Sequence, residues 1–163
     1  MQRHQAYLLT GSNLGNRSRF LQQAREAVAT RVGKIVQASQ VYETAAWGKE
    51  DQPPFLNQVL HIETALLPDA LMEELLQIEQ ELGRRRTTPM AARTIDIDVL
   101  LYDNLRYQSA RITIPHPSLH LRRFVLTPLA EIAPAKTHPV LRRHIRTLLQ
   151  QCNDPLPVTV CND

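Results

Sequence analysis

The sequence has few cysteines, few aromatic residues and no long apolar segment. Its two cysteines, Cys152 and Cys161, lack the paired spacing of a zinc site, and two thiols do not make a disulfide framework. The longest apolar runs, such as Val99–Tyr102, are about four or five residues long and are too short to span a membrane. The first residues contain no secretory hydrophobic region. We therefore expect free thiols, no membrane partner and a cytoplasmic location.

Lysine is also scarce, because sixteen of the nineteen basic residues are arginine, within a net charge of +3. The planar guanidinium group can grip phosphate or carboxylate with two parallel hydrogen bonds. A GC-rich coding sequence explains the overall excess equally well, but it does not explain where the arginines cluster. They gather around one segment, at Arg84, Arg85, Arg86, Arg93, Arg111, Arg122 and Arg123.

Apolar periodicity predicts a single domain over residues 1–163. Strands are predicted at Ala6–Thr10, Lys34–Thr44, Phe55–Thr64 and Arg93–Tyr102, with a short strand at Ile112–Ile114. Helices are predicted over about 18–32, 68–82, 119–130 and 140–152; Asn16 or Ser18 caps the first, and Pro128 must kink or end the third. The order β-α-β-β-α-β predicts an α+β, ferredoxin-like fold. It has an antiparallel sheet with helices on one face and additional C-terminal helices.

The most informative segment is the strand that contains Asp96 and Asp98. Successive side chains of a strand alternate between its faces, so both carboxylates point one way while Ile95, Ile97 and Val99 point the other. Their Cα atoms are roughly 7 Å apart, close enough for both side chains to lean toward one cation. Mg²⁺ suits such a pair because it takes oxygen ligands and retains positions for water and phosphate.

An acidic pair of this kind is more often a solvated strand face than a metal site. The arginines on both sides of it in the sequence favour a site that binds metal and polyphosphate together. The segment Gly11–Gly15 is neither a phosphate-binding P-loop nor a dinucleotide fingerprint. Any phosphate groups are therefore bound without a P-loop.

Five motifs follow one another in the chain. They are Gly11-Ser12-Asn13-Leu14-Gly15; Asp51-Gln52 with Phe55-Leu56-Asn57; Gly83-Arg84-x-Arg86; Arg93-Thr94-Ile95-Asp96-Ile97-Asp98; and Ile114-Pro115-His116-Pro117 with Arg122-Arg123-Phe124. Together they resemble the 6-hydroxymethyl-7,8-dihydropterin pyrophosphokinase family of folate biosynthesis, from about residue 6 to Pro134. The Arg-Thr-x-Asp-x-Asp and Pro-His-Pro motifs are specific to that family.

The resemblance implies transfer of pyrophosphate from ATP to the hydroxymethyl group of the pterin, with release of AMP. Asp96 and Asp98 would hold two Mg²⁺ ions, and Asp98 is the nearest candidate for a general base. Phosphate-binding residues would be Arg84, Arg93, His116 and Arg122, of which Arg84 and Arg93 join the two aspartates as catalytic residues. Arg86, Glu79, Val99, Arg111 and Thr113 fall on the nucleotide side. The pterin site would comprise Thr44, Trp47, Phe55, Asn57 and Phe124 beside Asp96. The implied partners are ATP and the pterin, with no nucleic acid, and we expect a monomer.

Two segments depart from the family pattern. Residues Thr87–Ala92 replace the usual Arg-Trp-Gly-Pro stretch of a mobile loop, and Thr44-Ala45-Ala46 replaces Thr-Pro-Pro. We predict weaker closure of the first loop, or a lid with Met90 as its apolar contact. The second loop loses proline rigidity, for which Trp47 can compensate by packing on the pocket.

Two other functions remain open from the residues alone. A metal-dependent phosphohydrolase or nuclease can use the same carboxylates with water as the acceptor. RNA-recognition domains share the ferredoxin-like order but need exposed aromatic residues on their central strands. The chain has only eight aromatic residues, and the strand at 93–101 places acids on its open face. The RNA-binding alternative is therefore the least favoured.

Overall fold

The computed structural model describes residues 2–44, 53–83 and 94–161. In chain order, their helices and strands are β1 (His4–Ser12), α1 (Arg17–Arg31), β2 (Gly33–Ala38), β3 (Tyr42–Thr44), β4 (Phe55–Thr64), α2 (Pro68–Glu81), β5 (Asp96–Tyr102), β6 (Tyr107–Gln108), β7 (Thr113–Ile114), α3 (Arg123–Ile132), α4 (Ile145–Gln150) and β8 (Val158–Val160). None of these helices is long and apolar enough to cross a membrane.

The main sheet is antiparallel throughout, with the order β5-β1-β4-β3-β8. Strand β2 pairs with the half of β4 that β3 leaves uncovered. If β2 and β3 count as one interrupted strand, the first six elements give the ferredoxin-like order β-α-β-β-α-β. The predicted fold class is therefore confirmed, and β5 lies at one edge of the main sheet.

Two apolar cores lie on opposite faces of the main sheet. On one face, Leu8, Leu60 and Ile97 pack against α1 and α2. On the other face, Leu9 and Val59 pack against α3 and α4. The prediction placed helices on one face only, whereas the additional C-terminal helices cover part of the second face. The sheet is therefore enclosed on both sides near β1 and β4, because each face of these strands carries large apolar side chains.

The prediction of one continuous strand over Lys34–Thr44 is wrong, because this segment is divided into β2 and β3. The break occurs at Ser39, whose hydroxyl oxygen accepts a hydrogen bond from the Val59 main-chain N–H at 3.0 Å. Next to it, the Gln40 N–H donates to the Glu131 carboxylate. Side chains thus replace the main-chain partners that a continuous ladder would use.

The C-terminal third differs most from the prediction. Helix α3 begins at Arg123 instead of Leu119 and continues past Pro128 to Ile132, so Pro128 does not end it. Helix α4 covers only Ile145–Gln150 of the predicted 140–152. The short strands β6 and β8 had no clear pattern of their own; they form because β7 and β3 offer edges to pair with.

The N-terminal helix begins where the sequence places it. Between the two candidate caps, Asn16 is the N-cap, and its side chain accepts a hydrogen bond from the Arg19 N–H at 3.2 Å. This contact satisfies one of the donors that the first turn of a helix leaves without a partner. Helix α1 therefore starts directly after the loop that follows β1.

Candidate active site

The two aspartates of β5 share one face of the strand, as its alternation predicts. Ile95, Ile97 and Val99 are buried on the opposite face, in the core beneath α1 and α2. The ladder with β1 sets Asp98 opposite Leu9 and Asp96 opposite Gly11. Both carboxylates line a cavity, together with Leu100. The apolar half of β5 thus fixes the strand while the acidic half faces this opening.

Strand register places an amide beside the acidic pair. Gly11 pairs with Asp96 on one side and with Asn57 on the other, so Asp96, Gly11 and Asn57 form one row across three strands. Neighbouring strands lie about 4.8 Å apart, which separates the outer Cα atoms of this row by roughly 10 Å. Gly11 has no side chain to fill the space between the carboxylate and the amide.

The cavity has a volume of about 310 Å³. It brings together eight of the residues singled out from the sequence: Thr44, Phe55, Asn57, Asp96, Asp98, His116, Arg122 and Phe124. Its remaining lining includes residues to which the sequence assigned no role, namely Leu9, Gly11, Leu100, Ser118, Leu121 and Val125. Asp96 and Asp98 belong to β5, and Phe55 and Asn57 belong to β4, whereas Arg122 and Phe124 lie next to each other at the start of α3.

Polar atoms at the β4 end of the cavity are available to a ligand. The Asn57 Nδ2 group donates to the Thr10 carbonyl oxygen at 3.2 Å, which fixes the orientation of the amide because a carbonyl can only accept. Within the described residues, the buried Oδ1 atom of Asn57 and the buried Oγ1 atom of Thr44 have no hydrogen-bond partner. Buried polar atoms usually have one, so a polar ligand is the simplest partner for both.

His116 is held beside β5 by its own main chain. Its N–H donates to the Leu100 carbonyl oxygen at 3.0 Å, and its Nδ1 atom accepts from the Ser118 N–H at 3.1 Å. The ring proton therefore sits on Nε2 in the neutral form. Burial lowers the pKa of His116, and the charge of Asp96 opposes that shift. His116 thus offers a neutral N–H donor at the cavity wall.

Arg122 is fixed by two contacts within the C-terminal part of the chain. Its Nε group donates to the Asp154 carboxylate at 2.9 Å, and its guanidinium carbon lies 4.7 Å from the centre of the Phe124 ring. A cation over an aromatic face is attracted by the ring quadrupole. Asp154 could not be recognised from the sequence, because 31 residues separate it from Arg123 and its neighbours follow no known motif.

The other candidates lie elsewhere or outside the described residues. Glu79 is 2% exposed and accepts a hydrogen bond from the Ile97 N–H at 2.6 Å, between α2 and β5. The side chain of Val99 is in the opposite core. Arg111 and Thr113 are exposed on the hairpin of β6 and β7, beside β5. The remaining candidates lie outside the described ranges: Trp47, Arg84, Arg86, Arg93 and Met90, together with the segments 45–46 and 87–92 that depart from the family pattern.

The donor set suits a metal that is shared with its substrate. In the described part of the chain, no three histidine, cysteine or carboxylate side chains form a metal-binding group. Mg²⁺ is commonly held by one or two carboxylates, while waters and substrate phosphates complete its shell. The cavity is lined by two carboxylates and also by Arg122 and His116. These residues fit a Mg²⁺ site in which two carboxylates and the substrate phosphates share the metal.

Comparison with known proteins gives one consistent result. The family model described as 7,8-dihydro-6-hydroxymethylpterin-pyrophosphokinase (HPPK) matches residues 7–134. The 2-amino-4-hydroxy-6-hydroxymethyldihydropteridine pyrophosphokinase of Aquifex aeolicus is 39% identical over 140 residues, which cover 86% of this chain and 87% of that protein. The folic acid synthesis protein fol1 of Schizosaccharomyces pombe is 39% identical over 153 residues, which cover 93% of this chain but only 20% of fol1.

A solved structure shares the fold. The crystal structure titled as HPPK-DHPS in complex with substrates aligns with a TM-score of 0.75 and 17% identity. The alignment covers 92% of this chain and 43% of that one, so this chain spans less than half of that protein. At this identity the similarity shows a common fold.

Proposed function

Because the chain belongs to the 7,8-dihydro-6-hydroxymethylpterin-pyrophosphokinase family, it transfers pyrophosphate from ATP to hydroxymethyldihydropterin in folate biosynthesis, and we propose that the cavity beside Asp96 and Asp98 is its active site. The observation that carries this proposal is the joint lining of one cavity. Two carboxylates, an arginine and a histidine line it together with two phenylalanines and an amide. Such a cavity offers groups for both a polyphosphate and a flat heterocycle.

The pterin ring occupies the part of the cavity lined by β3 and β4. Phe55 and Phe124 supply aromatic faces for stacking. The Oδ1 atom of Asn57 accepts a hydrogen bond from the ring's N–H or amino group, and Thr44 supplies a hydroxyl. Trp47, in the loop that follows Thr44, adds an apolar contact. This placement directs the hydroxymethyl group toward Asp96.

The phosphate groups of ATP occupy the part lined by β5 and the start of α3. Asp96 and Asp98 would hold two Mg²⁺ ions there, and the ions would supply positive charge to neutralise the phosphate groups. The Nε2–H group of His116 and the guanidinium group of Arg122 donate to phosphate oxygens. Arg84 and Arg93 complete the phosphate contacts from the segment that precedes β5.

The nucleoside end of ATP lies toward the outer edge of β5. Arg111 and Thr113 are exposed beside that edge, and the family resemblance adds Arg86 to the nucleotide contacts. Val99 contributes its main chain, because its side chain is in the opposite core. Glu79 contributes indirectly through the hydrogen bond that it accepts from the Ile97 N–H.

The reaction is an in-line displacement at the β-phosphorus of ATP. The pterin hydroxyl oxygen forms a bond to the β-phosphorus while the bond to the oxygen that bridges the α- and β-phosphorus breaks, and AMP leaves with that oxygen. Asp98 is the nearest candidate to accept the hydroxyl proton. Catalysis depends on positioning and on charge stabilisation, because hydrogen bonds within the chain hold Asn57, His116 and Arg122 in place.

The products distinguish this function from a phosphohydrolase or nuclease. The protein is incubated with ATP and Mg²⁺, with and without hydroxymethyldihydropterin, and AMP, inorganic phosphate and the pterin diphosphate are quantified. We expect one AMP for each pterin diphosphate and no release of AMP without the pterin. Release of phosphate or AMP in the absence of the pterin would support hydrolysis by the same carboxylates instead.

The assembly and location are part of the proposal. Residues 1–163 form a single domain that acts as a monomer in the cytoplasm, with ATP and the pterin as its partners. Sedimentation velocity at several protein concentrations measures the mass directly. A mass of one chain at all concentrations is expected, and a stable dimer would contradict the monomer.

A further inference from the structure

The carboxylate of Asp154 is buried against the residues that begin α3. Its side chain is 3% exposed. One carboxylate oxygen accepts from the Arg122 Nε group at 2.9 Å and from the Arg123 N–H at 3.1 Å, while the other accepts from the Leu156 N–H at 3.1 Å. A buried carboxylate is stable only when it is paired and hydrogen-bonded, and these three donors meet that need.

The same carboxylate supplies a cap that α3 otherwise lacks. Arg122 is the N-cap residue of α3, and its side chain makes no capping hydrogen bond. Asp154 accepts from the Arg123 N–H, which is the first N–H of the helix. A negative charge at this end of a helix is favourable because the helix dipole is positive there. Asp154 therefore fixes both the first turn of α3 and the side chain that precedes it.

These contacts determine the plane in which Arg122 reaches the cavity. The guanidinium group is rigid and planar, so holding its Nε group on Asp154 and its face on Phe124 restricts its orientation. Arg122 lines the cavity that also contains Asp96 and Asp98. An arginine held in place before the substrate binds loses less conformational entropy when it grips a phosphate group.

We propose that Asp154 is a positioning residue for pyrophosphate transfer, which acts by orienting the Arg122 guanidinium group toward the ATP phosphates. This inference rests on the proposed function, because it assumes that Arg122 binds phosphate. It also gives a role to the chain after α4. Cys152 and Asp154 accept hydrogen bonds from Arg123 through their main-chain oxygens, and β8 then pairs with β3, opposite Thr44. The C-terminal segment thus supports both ends of the cavity.

A double-mutant cycle tests whether Asp154 acts through Arg122. Asp154→Ala, Arg122→Ala and the double variant are compared in pyrophosphate transfer and in affinity for α,β-methylene-ATP. This analogue is not cleaved at the bond that the reaction breaks. We expect Asp154→Ala to lower kcat/KM for ATP by about tenfold to a hundredfold, a loss typical of a displaced catalytic contact. In the Arg122→Ala background, the same change should lower activity and affinity by less than about twofold.

Asp103→Asn is the matched control. Like Asp154, Asp103 accepts from a basic side chain, His4 Nδ1 at 2.7 Å, and from a main-chain donor, the Gln5 N–H at 2.8 Å. It does not line the cavity that contains Arg122. Its substitution should leave kcat/KM for ATP within about twofold of the wild-type value.

Each other outcome overturns the inference. An equal loss from Asp154→Ala in the wild-type and Arg122→Ala backgrounds would show a purely structural role. Wild-type kcat/KM for ATP in Asp154→Ala would show no role at all. If Asp154→Ala does not fold, Asp154→Asn replaces it in the double-mutant cycle. Its amide NH₂ group must face one of the three groups that donate hydrogen bonds to the carboxylate. Failure of the proposed function is distinct from these results, since the wild-type protein would then form no pterin diphosphate.

Discussion

Gly11 lies opposite Asn57 in the ladder between β1 and β4, and a Cβ atom at Gly11 would come within 2.5 Å of the Asn57 Nδ2 atom. The glycine is needed here for space, because its side-chain position is occupied by the amide. The amide in turn donates to the Thr10 carbonyl oxygen and keeps its Oδ1 atom for a ligand. The absence of a side chain at Gly11 therefore helps to form the proposed pterin site.

Gly11→Ala should weaken pterin binding. The new methyl group displaces the Asn57 side chain, whose amide must rotate away from the Thr10 carbonyl oxygen. We expect KM for the pterin to rise by about tenfold, as for the loss of one good hydrogen bond in a binding site, while KM for ATP changes by less than about twofold. Steady-state kinetics with each substrate varied in turn measures both. Asn57→Ala should have a similar effect, and an unchanged pterin KM in Gly11→Ala would contradict this role.

Phe55→Leu and Phe124→Leu should each raise Kd for the pterin. Both changes keep an apolar side chain but remove the aromatic face that lines the cavity. Stacking of a heterocycle on an aromatic side chain contributes about 1–3 kcal/mol, so we expect an increase of at least about fivefold. Binding of the pterin is measured by isothermal titration calorimetry. Phe20→Leu is the matched control, because Phe20 packs against the core on the α1 face; a similar loss in that variant would indicate a general effect on folding.

Asp154 should make stability depend on pH in the acidic range. Burial raises the pKa of this carboxyl group, but hydrogen bonds from Arg122 and from the N–H groups of Leu156 and Arg123 outweigh burial. The pKa in the folded state is therefore below the ordinary value of 3.8. The folded state thus binds fewer protons than the unfolded state, so this stabilisation is present above pH 3.8 and is lost as the pH falls through the lower folded-state pKa.

Denaturant unfolding at several pH values measures this effect. The difference in free energy of unfolding between the wild type and Asp154→Ala should be constant above about pH 5 and should shrink below about pH 4. A difference that stays constant down to about pH 3 would contradict the assigned hydrogen bonds. Asp103→Asn serves as the comparison, because it removes a carboxylate that is bonded to a histidine instead of an arginine.

Glu79→Ala should destabilise β5 and thereby reduce turnover. Glu79 accepts a hydrogen bond from the Ile97 N–H, which lies between the two aspartates in the chain. Its removal leaves a buried donor without this partner, at a cost of about 1–3 kcal/mol. Glu79→Gln retains a carbonyl acceptor and should recover most of the loss in thermal unfolding. Unchanged stability with a large increase in KM for ATP would instead show that Glu79 contacts the nucleotide directly.

Local sequence pattern was sufficient for β1, β4 and β5 and for the acidic pair. Alternation along β5 separates Asp96 and Asp98 from Ile95, Ile97 and Val99, and the same alternation separates Phe55 and Asn57 from Leu56 and Leu60 on β4. These predictions succeed because the side chains of a strand have a fixed period and one face must be buried.

Contacts between distant segments explain what the pattern did not predict. The break at Ser39 depends on a hydroxyl group that replaces a main-chain acceptor for Val59. The role of Asp154 depends on an arginine 32 residues earlier in the chain. The need for a glycine at position 11 depends on an amide from another strand. None of these partners is defined by neighbouring residues, so only the folded chain reveals them.

The turnover of three aspartate variants tests the metal assignment most directly. Asp96→Asn, Asp98→Asn and the control Asp103→Asn each replace one carboxylate by an amide of the same size, and Asn tolerates the positive φ of Asp103. Formation of the pterin diphosphate is measured over a range of Mg²⁺ concentrations. Thermal unfolding verifies that each variant is folded. We expect a loss of at least about a hundredfold for Asp96→Asn and Asp98→Asn, with wild-type thermal stability, and near-normal turnover for Asp103→Asn. Near-normal turnover of folded Asp96→Asn or Asp98→Asn would contradict the assignment of these carboxylates to the metal site.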